Sequence, residues 1–495
     1  MPRHILFSNG GPSAATAFNY QHPTEIDFKA NTTAQLDAQG GGDPRHFQTL
    51  ADGGGAGDTV ALHFAIDTDY TYSVFTWFTG ATVAADNGGV MTLREGTNCS
   101  TTDATSDSPG TRIADNYMES GSGRNGAGGL FNHLRPSSGR DAEWGVQFGD
   151  MSLASSCVIA FSNEQFRPKV LRFPEREIFP AFNGFINRDG WAQHLWESES
   201  GGDTDVTSEK KAFTIPFQSD NEEWLFVITG RNENDADHAS GDPTDNRYTP
   251  YLDGPPSFGT GVDMFNVRTN NITAGATKTG RGFNWVQPVQ NFEERLQFHM
   301  TVKTLPAGDY EAWWVWNRHQ ANTDNQNFDN ATFNMWRLNH FRNRSYHKIT
   351  DALTTGSLGS YGPTPWTTEI TLPADAGQVL ILFATTRHDR GGLDSNDQRF
   401  RIQRNGVTLV DKITNTSSGG TTDSHSNVTP STDNQTAPVH CIWADKPGPG
   451  THTYTVQVNP EVSNTMYNRR DDGSAGYEGG ILFVGECVFA QDEAA

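Results

Sequence analysis

The chain of 495 residues carries a net charge of −23, with 36 Lys and Arg against 59 Asp and Glu. Such a surface repels phosphate backbones, which excludes nucleic acid as a direct partner. The length exceeds one ordinary core, and 30 Phe, 12 Trp, 51 Gly and 24 Pro describe several cores of short strands and many turns, not a disordered chain.

Residues 1–45 hold Pro, Gln, Asn and Gly with weak periodicity, which predicts an N-terminal arm ordered by a neighbouring subunit. The opening Met1–Gly10 has too short an apolar core for a signal peptide, and no apolar run approaches a membrane span. The expectation is a chain made in a cytoplasm and soluble there. Strands begin where Val60, Leu62, Phe64 and Ile66 alternate with smaller or polar residues, and Tyr72, Val74 and Phe75 follow a polar turn. A Gly/Ser/Asn loop spans 120–129, Trp144, Val146 and Phe148 alternate again, and Cys157–Phe161 closes a first β-sandwich over 46–166. Residues 167–206, punctuated by Pro168, Pro174 and Pro180, form a predicted connector that packs on something.

A second sandwich, 207–345, opens with Phe213, Ile215 and Phe217, then a turn, then Trp224–Ile228. A linker covers 346–360, and a third sandwich, 361–495, opens alike with Ile370, Leu372, a turn and Val379–Phe383. The registers agree: 372−217 and 379−224 both equal 155, while 450−308 and 459−317 both equal 142. Between the first and third sandwiches, 404−94, 456−146 and 370−60 all equal 310. Equal offsets point to divergent, domain-sized repeats. No stretch combines a 3.6-residue apolar period with caps. The predicted fold is therefore all-β, with tandem β-sandwich or jelly-roll domains in three divergent copies behind an N-terminal arm.

Little in the chain carries chemistry. Gly121–Gly126 matches the dinucleotide fingerprint by letter, but Ala127-Gly128-Gly129 cannot start the helix that a pyrophosphate needs, so it is a loop. Asp235, Asp237, Asp242 and Asp245 crowd one loop, and Asp389, Asp394 and Asp397 another. Such oxygens can hold calcium, the one cofactor the sequence leaves open, although Gly241 falls one position late for an EF-hand and solvated Asx turns explain the same residues. His238, His319, His340, His347 and His388 show no metal spacing, and neither HExxH nor GxSxG occurs. No catalytic residue is assigned, and the acidic residues are too many to single out a glycosidase pair. Trp313, Trp314 and Trp316 must point to both faces of one strand, so they serve the core, a subunit contact or a glycan-stacking platform. Cys99, Cys157, Cys441 and Cys487 fit no zinc site. Apolar runs around Cys157 and Cys487 favour buried thiols, with the pairs Cys99/Cys157 and Cys441/Cys487 left open.

The turn Gly448-Pro449-Gly450 leads into Thr451-His452-Thr453-Tyr454-Thr455-Val456-Gln457-Val458, a period-2 strand with one face suited to a core. The stretch from Pro449 to Gln457 resembles a strand common in β-sandwich domains of tailed-phage virion proteins: head decorations, tail appendages and fibre tips. The resemblance covers mainly 361–495 and more weakly the second sandwich. It implies a non-enzymatic structural or adhesive virion component and transfers no catalytic residue. The expected protein is a capsid decoration or surface appendage that binds other virion subunits as a homo-oligomer, a dimer or a trimer, through its arm and aromatic surfaces. The alternatives are a carbohydrate-binding host-receptor adhesin and, further off, a polysaccharide-degrading enzyme.

Overall fold

The computed structural model describes strands between residues 19 and 491, and side chains within 210–228, 249–264, 299–313, 335–350, 361–385, 400–409, 441–458 and 480–488. The chain is all-β with antiparallel sheets, and the described residues include one short 3-10 turn, Leu338–His340. The candidates Asp235, Asp237, Asp242, Asp245, Asp389, Asp394, Asp397, Trp314 and Trp316, together with Cys99 and Cys157, lie outside the residues whose side chains are described.

The N-terminal sheet pair is built from β1 (Val60–Ala65), β2 (Tyr70–Phe78), β3 (Gly89–Gly96), β4 (Thr111–Tyr117), β5 (Arg124–Asn125), β6 (Ala127–Leu134), β7 (Glu143–Asp150) and β8 (Lys169–Pro174). The middle pair holds β9 (Lys211–Ile215), β10 (Glu222–Asn234), β11 (Asn246–Asp253), β12 (Val262–Asp263), β13 (Phe283–Trp285), β14 (Arg295–Leu305), β15 (Gly308–Arg318) and β16 (Gln326–Arg337). The C-terminal pair holds β17 (Arg344–Ile349), β18 (Gly362–Leu372), β19 (Val379–Asp389), β20 (Gln398–Arg404), β21 (Val407–Val410), β22 (Asn415–Thr416), β23 (Gln435–Asp445), β24 (Gly450–Pro460) and β25 (Gly480–Glu486).

The first sheet of each pair runs β4-β3-β7-β1, β12-β11-β15-β9 and β21-β20-β24-β18. The second runs β6-β2-β8, β14-β10-β16 and β23-β19-β25. One strand order thus recurs along the chain.

Three expectations change. Within the arm, Asn19–Gln21 pairs with Phe489–Gln491, Thr24–Ile26 with β8, and Lys29–Ala30 with β1. The second and third of these segments satisfy backbone groups at the edges of their own chain's sheets, where unpaired N–H and C=O groups would otherwise be exposed. Within the connector 167–206, Lys169–Pro174 is strand β8, paired with β2, and Pro174 is its last residue. The linker 346–360 likewise supplies part of β17 and the strand Leu353–Thr355.

Local chemistry explains the strands. On β24, His452, Tyr454, Val456 and Val458 are buried while Thr451 is exposed and Thr453, Thr455 and Gln457 are half-buried, the alternation of a one-sided strand. Outer threonines pair across β18 and β24, Thr367 with Thr455 at 3.2 Å and Thr371 with Thr451 at 3.0 Å. Asn405-Gly406 joins β20 to β21 with φ of 49° and 80°, the left-handed pair that a two-residue hairpin turn demands. Phe217 departs from its expected place in a strand core. The strand β9 ends at Ile215, Pro216 follows, and Phe217 is 76% exposed in the turn.

Two apolar clusters form the described core. One lies between the C-terminal sheets and contains Trp366, Ile370, Val379, Ile381, Phe383, Phe400, Tyr454, Leu482 and Val484. The other fills the middle pair around Trp224, Leu225, Phe226, Tyr310 and Trp336, then continues into Leu380, Leu382, Ala384, Ile481 and Phe483. Strands β19 and β25 therefore send alternate residues into two different cores. Cys441 and Cys487 are buried, one in each cluster, in line with the apolar run around Cys487.

Candidate functional site

The middle pair presents an aromatic and acidic cluster on β11 and β15. Neighbours along a strand alternate faces, so Asp309, Glu311 and Trp313 share one side of β15 while Tyr310 and Ala312 share the other. Tyr251 lies opposite Trp313 and Asp253 opposite Glu311 in the β11–β15 register. Tyr251 and Trp313 stack with centroids 5.7 Å apart and 20° between ring planes.

Lys210, just ahead of β9, closes this cluster. Its Nζ sits 4.4 Å from the Trp313 ring centroid, donates to Asp253 Oδ2 at 2.5 Å and donates to Glu311 Oε2 at 3.2 Å. The hydrogen bond to Asp253 raises the Lys210 pKa above the ordinary lysine value, against the opposing effect of burial. Asp253 is itself held by Gly261 N–H, which donates to Oδ1 at 2.6 Å. Trp313 is only 6% exposed. A sugar ring stacking on it must first displace Lys210.

The end of the middle core is sealed by rings. Phe213 stacks on Tyr310 at 5.3 Å and Phe258 meets Tyr310 edge-on at 5.3 Å. A Cβ at Gly254 would come within 2.5 Å of Tyr310, so that position needs glycine. The Tyr310 hydroxyl donates to Pro306 O at 2.8 Å, and burial pushes its pKa well above the usual phenol range, with Asp220 adding to the shift.

The buried charges of the C-terminal pair have partners. Glu486, fully buried, accepts from Arg342 Nε at 3.0 Å and Nη2 at 2.6 Å, from Asn343 Nδ2 at 2.6 Å and from Gly377 N at 3.2 Å. Asp445, also fully buried, accepts from Arg404 Nη1 at 2.7 Å, Tyr454 Oη at 2.9 Å and Lys446 N at 2.8 Å. At the seam with the middle pair, Tyr346 Oη donates to Glu223 at 2.6 Å, and Arg337 bonds both oxygens of Glu222. These are clamps: each joins segments distant in sequence and leaves its charge compensated.

No group of three or more His, Cys, Asp or Glu positioned for a metal occurs among the described residues. Of the three predicted tryptophans, the structure places Trp313 in the cluster above. Sequence reasoning missed Lys210, Tyr251, Asp253 and Glu311. Lys210 lies 43 and 101 residues from its two carboxylates, so no local motif marks it. Only the pairing of 246–253 with 308–318 could have aligned Tyr251 with Trp313.

No family model matches the chain, and no curated protein matches it. Among solved structures, PNGF-II in a P21 crystal is 10% identical, with 82% of this chain and 100% of that chain covered and a TM-score of 0.22. The CBM22-1–CBM22-2 tandem domain of Paenibacillus barcinonensis Xyn10C is 10% identical over 65% of this chain and 99% of that one, with a TM-score of 0.17. Infectious bursal disease virus, Gx strain, is 8% identical over 96% and 82%, with a TM-score of 0.18. Likenesses this slight carry no weight for function.

Proposed function

We propose that this chain is a non-enzymatic structural protein of a tailed-phage virion, a capsid decoration or surface appendage that binds other virion subunits. The observation that supports it most is the apolar cluster that runs unbroken from the middle sheet pair into β19 and β25. An apolar, sheet-on-sheet joint resists bending between domains, which suits a part whose task is to hold a shape. The Pro449–Gln457 strand adds the virion resemblance. The test is immunogold labelling, with mass spectrometry, of density-purified particles from cells producing the virus. Labelling at fixed positions on the particle is expected; a chain found only in the soluble lysate would remove the virion role.

A second reading, a carbohydrate-binding adhesin, has one specific observation in its favour. Tyr251 and Trp313 stack beside Asp253 and Glu311, the mixture of ring faces and carboxylates that sugars engage, under a lysine that can swing away. Lys210→Ala in the full chain uncovers Trp313. Under this reading the variant gains binding on an array of host surface glycans and its tryptophan fluorescence shifts with the bound sugar. Equal, negligible binding by both proteins leaves the cluster as a structural clamp.

A further inference from the structure

We infer that the chain closes on itself as a ring of three homologous sandwiches, head to tail, and so offers by itself the threefold surface that a homotrimer would offer. Two independent observations carry this. The same two strand orders recur in all three sheet pairs, at sequence offsets that stay constant over long stretches.

Contacts between the pairs also recur. The strand β4, which borders β3, meets β14, and β13, which lies beyond β12 and pairs with β11, meets β23. The circle closes where β22, just after β21, pairs with β5, just before β6, with Arg124 opposite Thr416 and Asn125 opposite Asn415.

A second relation repeats. The strand β14 packs on β19 of the next pair, and β23 packs on β2 of the pair after that. A third does too, since β6 packs on β16 and β14 on β25. The strands β6 and β14 both touch β23, near the centre of the arrangement.

Interfaces that join unlike surfaces in one rotational sense build either an open filament or a closed ring. The β5–β22 pairing selects the ring. Its interfaces are consumed inside one chain, so no second copy is needed to complete them. Under this inference the free protein is a monomer, in place of the expected homo-oligomer. The partner such a ring fits is a surface with threefold symmetry, because three like surfaces then dock at once and each weak contact is reinforced by the others. For the identity of that partner, the shell of a virion, the inference rests on the proposed function; the ring itself does not.

The ring is tested by joining β5 to β22. In the full chain, Asn125→Cys with Asn415→Cys, and separately Arg124→Cys with Thr416→Cys, are oxidised and analysed by non-reducing gel, peptide mapping and sedimentation. Directly opposed residues of an antiparallel pair lie close enough for a disulfide. A monomer of 54.3 kDa with an intrachain link in at least one variant is the expected result. Links between chains, or folded protein in which neither variant links, would overturn the ring. The partner is tested by locating the chain on purified particles by electron cryomicroscopy. One chain on each threefold or quasi-threefold axis supports it. Density away from such axes, or absence from the particles, overturns the partner, and absence also removes the virion reading, while the disulfide result decides the ring regardless.

Discussion

The middle and C-terminal sheet pairs share one strand order, and within the C-terminal pair the two sheets finish differently. In the C-terminal pair, β24 alternates buried and less buried residues, so that sheet faces a single core. Strands β19 and β25 are buried on both faces, with Val379, Ile381, Phe383, Leu482 and Val484 turned to one cluster and Leu380, Leu382, Ala384, Ile481 and Phe483 to the other. The difference shows what converts a chain of domains into one body: an unbroken apolar run where alternation would leave a wet face.

Adjacent residues of β19 give the sharpest way to break this comparison. Leu382→Asp places an unpaired carboxylate in the seam between pairs, at a residue with no exposure, and should cost about 4–5 kcal/mol or more. Phe383→Ala should cost about 3–5 kcal/mol in the other cluster. Hydrogen exchange separates them. Leu382→Asp is expected to speed exchange in β10 and β14, and Phe383→Ala in β18, β20 and β24. Identical exchange maps would show that one strand does not serve two cores.

The clamps come next in size. Glu486→Ala strips Arg342 and Asn343 of their buried acceptor, and Asp445→Ala does the same to Arg404 and Tyr454. Removing one member of a buried pair costs about 3–5 kcal/mol, and Glu486→Ala should fall at the lower end because Arg342 keeps Asp375 at 2.8 Å. Urea unfolding should register both losses, and Lys210→Ala much less, because that side chain is 44% exposed. If Lys210→Ala matched Glu486→Ala, the division between buried clamps and a surface latch would fail.

How much of this was legible beforehand follows from the range of each interaction. Period-2 runs such as Thr451–Val458 and the turn Gly448-Pro449-Gly450 are local, and they announced an all-β chain of short strands. The seam was half visible: Val379–Phe383 is plainly apolar, but a run of that length looks the same whether its second face meets another domain or its own sheet. Phe217 misled because its spacing continues Phe213 and Ile215, whereas Pro216, lacking an N–H, ends the ladder first. The Lys210 cluster was illegible, since its members meet only once β9, β11 and β15 are in register.

Alkaline titration tests both regions at once, with a smaller effect. Burial is the leading cause that lifts Tyr310, Tyr346 and Tyr454 above the ordinary value of 10.0. Their folded values exceed the unfolded one, so the stability they lend is intact below about pH 10 and drains away as pH rises through the folded values. The phenolate absorbance of these three should therefore appear only together with loss of the β-sheet circular dichroism signal. Ionisation of every tyrosine in one phase near pH 10, with the circular dichroism unchanged, would contradict their burial.

The smallest effect concerns a correspondence between the two pairs. Tyr310 bonds the carbonyl of Pro306 at 2.8 Å, and His452 Nε2 bonds that of Gly448 at 3.1 Å. Both reach back four residues, and 452−310 and 448−306 each equal 142. A phenol and an imidazole thus close the same turn ahead of the same strand. Tyr310→Phe keeps the stacking on Phe213 and Phe258 and loses only the bond, so about 0.5–1.5 kcal/mol is expected in urea midpoints. His452→Phe should cost more, because the ring also lies 3.4 Å from Asn405 Nδ2, and Asn405 holds the hairpin turn through Thr453 N at 2.9 Å. Equal losses would mean that the Asn405 contact adds nothing and that the two turns are the same device with different side chains.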